Sequence, residues 1–166
     1  MRSILSDILD VPERRLHVRS PDVGGGFGAK LRPYSGYVLA ARAAMDVDAP
    51  VKWTATRTEE NQSMVHSRHH LIDAEVGVDD DGTIRGFRAD TVAPVGAFLM
   101  PAGSNPPTNL GVMAKGQYDI PAAYVHTRGA YTNTACLAAY RGAGRPEASY
   151  WVERMIRIVA DELDMD

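Results

Sequence analysis

Residues 21–30 read PDVGGGFGAK: Gly24, Gly25 and Gly26 in a row, then Phe27, Gly28, Ala29 and Lys30. Bare backbone beside a lysine first suggests a phosphate cradle, in which N–H groups approach oxygen acceptors without Cβ obstruction. The spacing excludes the familiar versions. A P-loop needs G-x-x-x-x-G-K-[ST], but Ala29 precedes Lys30 and Leu31 follows it. A dinucleotide fingerprint needs G-x-G-x-x-G opening a helix. Counted from Gly24 its last position is Ala29, which meets only the relaxed form; counted from Gly26 it is Leu31; Arg32 and Pro33 then delay any helix. Two readings remain. The loop presents backbone donors to a ligand with the Phe27 ring beside it, or it is a tight turn with Phe27 in the core.

Residues 131–147, YTNTACLAAYRGAGRPE, set Arg141 between Tyr140 and Gly142, in a glycine loop before a helix opening at Pro146. A guanidinium there can hold an anion or a developing oxyanion. Taken alone, the pattern also describes a surface arginine in a flexible connection. His66, His69 and His70 form H-x-x-H-H. That spacing permits a metal, but no second ligand cluster accompanies it, so polar residues leading into a strand are expected. Asp79–Gly82 (DDDG) lacks the further ligands of a calcium loop and reads as a hairpin turn. Cys136 reads as a small buried residue. Glu59 and Glu60 read as solvated.

These groups need elements to position them. Ile4, Leu5, Ile8 and Leu9 fall on one side of a short helix over 2–9, which Pro12 stops. RLHVR (15–19) alternates like a strand, residues 34–47 form an alanine-rich helix, and VKWTAT (51–56) reads as a short strand. Residues 56–64 are a polar helical turn or loop. Over 69–93 a hairpin is expected, with Ile72, Ala74, Val76 and Val78 on one face. Proline and glycine make 94–122 mostly loop, and 123–131 reads as a strand. In the last segment Ala148, Trp151, Val152, Met155, Ile156, Val159 and Leu163 follow helical spacing. The expected fold class is α+β, with mixed strands and hairpins packed against helices. The abrupt ends of the pattern lead us to expect an incomplete domain, residues 1–166 being an internal part of a larger region.

The composition bounds the function. The chain has 166 residues with 45% hydrophobic and 23% charged content and a net charge of -3, which suits a globular domain and leaves no basic surplus for a nucleic-acid backbone. No apolar run approaches the ~20 residues of a membrane span. The N-terminus lacks the apolar core of a signal peptide. Cys136 is the single cysteine, so no disulfide framework is available and a cytoplasmic location is expected.

Read together, the two glycine loops resemble the molybdenum hydroxylases, the group of xanthine dehydrogenase, aldehyde oxidase and aerobic carbon monoxide dehydrogenase. SPDVGGGFGAK is similar to the family's GGFG(G/N)K motif, PVKWTATRTEE to the segment after the following helix, and YTNTACLAAYRGAGRPEA to the loop and helix carrying the active-site arginine. The motifs stand in family order along essentially the whole chain. The resemblance implies part of the molybdopterin-binding large subunit. Gly25, Gly26, Phe27 and Gly28 would lie against the molybdenum centre, with backbone N–H groups donating to an oxygen ligand of the metal and Phe27 beside it. Arg141 would face the substrate and stabilise developing negative charge, and Gly142, Ala143 and Gly144 would complete that loop. The implied activity is hydroxylation of an aldehyde or N-heteroaromatic compound with water-derived oxygen. The implied cofactor is molybdenum-molybdopterin in its cytosine dinucleotide form. Electrons would pass to a [2Fe–2S] small subunit and an FAD-binding medium subunit in a dimer of heterotrimers. No protein metal ligand is implied within this stretch.

Departures from the family pattern sharpen this. Gly142 stands where copper-dependent carbon monoxide dehydrogenases have cysteine, and the AYRGAGR form is similar to a second, carbon monoxide dehydrogenase-like group. Leu31 stands where purine-oxidising members have glutamate, which argues for an apolar or aldehyde-like substrate. The family's late catalytic glutamate lies beyond this stretch. Two alternatives stay open: a subunit that oxidises carbon monoxide to carbon dioxide, and a non-catalytic binding or structural fragment.

Overall fold

The computed structural model describes residues 1–165; Asp166, the last residue of the expected region, lies outside the described residues. The chain divides at Met64/Val65 into two units. In the first, the apolar spacing of Ile4, Leu5, Ile8 and Leu9 yields α1 (Arg2–Leu9), with Leu9 buried and Asp10 closing the helix in the left-handed region. It packs on α2 (Ser35–Val47). The expected strand at 15–19 does not form: Glu13–Arg15 are a 3-10 turn and residues 16–20 have no regular structure. Residues 51–56 are likewise irregular. Alternation supplies a face, but a strand also needs a neighbour to pair its backbone.

The polar stretch 56–64 contains α3 (Arg57–Ser63). Thr56 caps it: the Thr56 Oγ1 accepts from the Glu59 N–H at 3.3 Å, and the Glu59 carboxylate accepts from the Thr56 N–H at 2.7 Å. This reciprocal capping box leaves Glu59 a helix-terminal residue, its carboxyl held below the usual range by the hydrogen bonds from Thr56.

The second unit is built on three strands in the order β1-β2-β3. β1 (Leu71–Val78) and β2 (Ile84–Gly96) form the expected hairpin, antiparallel from Leu71↔Val92 to Val78↔Ile84. Its turn is closed by the Gly82 N–H on the Asp79 carbonyl at 2.9 Å, with Gly82 at φ 83. β3 (Ala123–Tyr131) forms over the expected residues but pairs parallel to β2, from Phe87↔Ala123 to Gly96↔Tyr131. Parallel pairing requires a crossover, and that crossover carries α4 (Asn105–Val112), where mostly loop was expected. Pro106 and Pro107 do not prevent the helix, because they lie in its first turn, where N–H groups have no helical acceptor to lose.

α5 (Arg145–Glu162) buries the predicted Ala148, Trp151, Val152 and Met155. Trp151, Val152 and Met155 form the core with Phe87, Ala89, Leu110, Ala114 and Ile120, and Phe87 meets Trp151 edge-to-face at 5.1 Å between ring centroids. The α+β class holds. Among the described residues no helix is long and apolar enough to cross a membrane.

Candidate functional site

In the first unit the glycine loop departs from ordinary backbone at Gly25 (φ 119), Phe27 (φ 49) and Gly28 (φ 93). A Cβ on Gly25 would meet the Phe27 ring at 2.5 Å, so only glycine lets the ring lie there. Phe27 itself is 57% exposed, so it is not the core residue of the tight-turn reading. A phenylalanine with an exposed ring and a left-handed φ is uncommon backbone, of the kind that gathers at ligand sites.

α2 anchors this loop. Ala29 is buried, and its carbonyl accepts from the hydroxyl of Tyr34, the residue that precedes α2, at 2.5 Å. Tyr34 meets Tyr37 edge-on, and Tyr37 meets Trp53 in the same way. Gly36 lets the Trp53 ring close on the helix, since a Cβ there would come within 2.6 Å of it. No described residue accepts a hydrogen bond from the N–H of Gly25, Gly26 or Gly28.

In the second unit Arg141, Gly142, Ala143 and Gly144 make a tight turn into α5. Gly142, Ala143 and Gly144 all have positive φ, at 99, 46 and 96. A Cβ on Gly142 would strike Pro146 at 2.6 Å, and one on Gly144 would run into the Pro106 carbonyl and the Leu110 N–H of α4. The glycines here therefore serve close packing as well as backbone direction. The Ala143 N–H donates to the Tyr140 carbonyl at 2.9 Å, and the Arg145 N–H to the Gly142 carbonyl at 3.2 Å. The Arg141 side chain is exposed.

Side chains outside the sequence-predicted set hold this turn by its carbonyls. Asn109 of α4 donates to the Ala143 carbonyl at 2.8 Å. Arg68 donates to the Tyr140 carbonyl at 3.2 Å and to the Arg141 carbonyl. It also pairs at 3.5 Å with Glu147, which is only 7% exposed. Beside them burial holds the His70 imidazole below its ordinary pKa, opposed by the charge of Glu147 and reinforced by His69 and Arg68. Arg68, His70 and Glu147 help line a cavity of about 710 Å³ between β1 and α5. Sequence reasoning singled out residues 66–70 for their histidines and passed over Arg68. Among the described residues no His, Cys, Asp and Glu side chains gather as a metal site. Cys136 is half-buried, its carbonyl accepting from the His66 N–H at 2.9 Å.

The family model for the molybdopterin cofactor-binding domain matches residues 1–166. The chain belongs to this molybdopterin-binding family. The carbon monoxide dehydrogenase large chain of Hydrogenophaga pseudoflava is 39% identical over 169 residues, which cover 100% of this chain and 21% of that protein. Among solved structures, the reconstituted CO dehydrogenase of Oligotropha carboxidovorans superposes with a TM-score of 0.90 at 38% identity, over 99% of this chain and 21% of that one. Quinoline 2-oxidoreductase from Pseudomonas putida 86 superposes with a TM-score of 0.91 at 26% identity, again over 99% and 21%. This molybdopterin-binding chain thus spans about a fifth of the length of the relatives it matches.

Proposed function

We propose that these residues are the cofactor-facing part of the large subunit of a molybdenum hydroxylase acting on an aldehyde or N-heteroaromatic substrate. The observation that carries the reading is the glycine loop with its available amides. Gly25, Gly26 and Gly28 keep N–H groups that no described residue engages, on backbone that a side chain would obstruct at Gly25. Such a donor set suits a group rich in oxygen and sulfur acceptors. When bound, molybdenum-molybdopterin would supply the two-electron redox chemistry of hydroxylation, and the protein would supply position and electrostatics.

The chain's own residues bind, orient and stabilise. Gly25, Gly26 and Gly28 would hold the cofactor through backbone donors, with Phe27 presenting an apolar wall and Gly142 and Ala143 contributing the second loop. Arg141 would place a permanent positive charge where negative charge develops on the substrate, which lowers the barrier only if that charge is larger in the transition state. Leu31 in place of an acid favours apolar or aldehyde-like substrates over purines.

For the assembly we propose the cytosine dinucleotide form of the cofactor, a [2Fe–2S] small subunit, an FAD-binding medium subunit and a cytoplasmic dimer of heterotrimers. The names of the relatives, as large chains or subunits of complexes, support a multi-subunit enzyme. Arg141→Ala in the complete subunit, purified with its partners, is expected to lower kcat on the order of 100-fold with molybdenum and pterin content unchanged. Loss of cofactor with normal turnover per molybdenum would overturn the assignment.

Carbon monoxide oxidation is the second reading, favoured by the 39% and 38% identities to two carbon monoxide dehydrogenase large chains. Against it, Gly142 follows Arg141 directly, and a soft copper site needs a thiolate. Carbon monoxide-dependent dye reduction together with stoichiometric copper would establish it.

A further inference from the structure

We propose that Arg68 is a positioning residue that sets the backbone of the Arg141 turn. Its Nη1 donates to the Tyr140 carbonyl at 3.2 Å, and its Nη2 donates to the Arg141 carbonyl itself. Consecutive carbonyls gripped by one planar guanidinium leave that peptide little freedom to rotate, and the direction of the Arg141 side chain follows from its backbone. The same guanidinium reaches Glu147 at 3.5 Å, in the first turn of α5. Arg68 therefore ties the turn to the start of the helix that follows it.

The fold brings Arg68 to this place by backbone pairing. His66 forms a parallel bridge with Leu137, its N–H donating to the Cys136 carbonyl at 2.9 Å and its carbonyl accepting from Ala138 at 3.0 Å. Residues just after 66 are thereby carried alongside those just after 137. Arg68 then adopts φ 74, a conformation rare for arginine, before β1 begins at Leu71. From the other side Asn109 holds the Ala143 carbonyl at 2.8 Å. The turn is thus supported from two directions, with Arg68 at the residue proposed to face substrate.

The catalytic consequence rests on that reading of Arg141; the hold on the turn does not. The test uses the complete subunit in its enzyme complex, with Arg68→Lys as the principal variant. A lysine keeps a positive charge for buried Glu147, but its single ammonium cannot grip both carbonyls in a planar fork. We expect thermal stability and molybdenum content near the parent and a kcat lowered on the order of 100-fold, since small misplacements of a catalytic group cost that much. Amide exchange over residues 140–146 should rise roughly tenfold, because the Ala143 N–H bond to the Tyr140 carbonyl opens more often.

Arg68→Ala combined with Glu147→Gln gives the complementary arm. Removing the buried charge along with its partner should recover thermal stability but not the loop protection or kcat. Parent-like exchange over 140–146 in Arg68→Lys would overturn the proposal. So would full recovery of kcat and loop protection in the double variant, which would reduce Arg68 to a counter-charge for Glu147. If Arg141→Ala keeps full turnover while Arg68→Lys still loosens the turn, the substrate role of Arg141 falls and the positioning role of Arg68 stands.

Discussion

Burial and charge act against each other at His70. Its Nδ1 is buried with no hydrogen-bond partner among the described residues, and desolvation favours the neutral ring. Glu147 draws the pKa back up, while His69 and Arg68 push it down, and the net shift is downward. A histidine whose folded pKa lies below its unfolded value binds a proton more readily in the unfolded chain. Its contribution to stability is therefore complete above the unfolded pKa of about 6.5 and is lost as pH falls from there toward the folded pKa. Unfolding measured across pH 7.5 to about 5 is expected to show this loss. His70→Gln should flatten the slope, and an unchanged slope would remove His70 as its source. Glu59 belongs to the same scale: its depressed pKa arises from helix capping by Thr56, so it is no sign of an acid or base.

Among the elements, α4 and α5 depend on one residue between them. Gly144 caps α5 at φ 96, and the space for its missing Cβ is filled by the Pro106 carbonyl and the Leu110 N–H. Gly144→Ala combines an unfavourable φ with a backbone collision, and no flexible side chain can move aside. A destabilisation on the order of 3 kcal/mol is expected, with amide protection falling in α4 and α5 together, since the helices must part to admit the methyl. If exchange changed in α5 alone, the packing account would be wrong. The glycine loop is supported differently. There the Tyr34 hydroxyl on the Ala29 carbonyl and the edge-on Tyr34, Tyr37 and Trp53 rings steady a loop in which the N–H groups of Gly25, Gly26 and Gly28 donate to no described residue.

For the molecule as a whole, one core is clear in the second unit. Trp151 is 5% exposed and sits edge-to-face with Phe87, among Leu110, Ile120 and Val152. Trp151→Ala removes its largest ring and should cost about 3–5 kcal/mol, read from chemical denaturation of the complete subunit and from exchange in β2 and α5. Loss of protection confined to the chain ends would argue against this core. The first unit buries fewer large side chains, with Leu9 and Ala29 as its buried apolar residues. The family match extends over residues 1–166, and so takes in both units, at 21% of the length of the Hydrogenophaga relative.

By itself the sequence determined what depends on neighbours along the chain. Helical spacing from Ala148 to Met155, strand alternation around the DDDG turn and the positive φ that favours glycine at 25, 28 and 142 are all local, whereas Gly144 is also required by its contact with α4. The capping box at Thr56 and Glu59 was equally local and could have been read from T-x-x-E. Tertiary structure decided what depends on distant backbone meeting. The alternation at 15–19 gained no strand because no described residue pairs with it, and β3 became parallel because the crossover through α4 returns it beside β2. Arg68 lies 73 residues from Arg141 and reaches its carbonyl only through the bridge at His66. Hydrogen-bond partners at that separation are chosen by the folded path of the main chain, and residue types alone do not encode it locally.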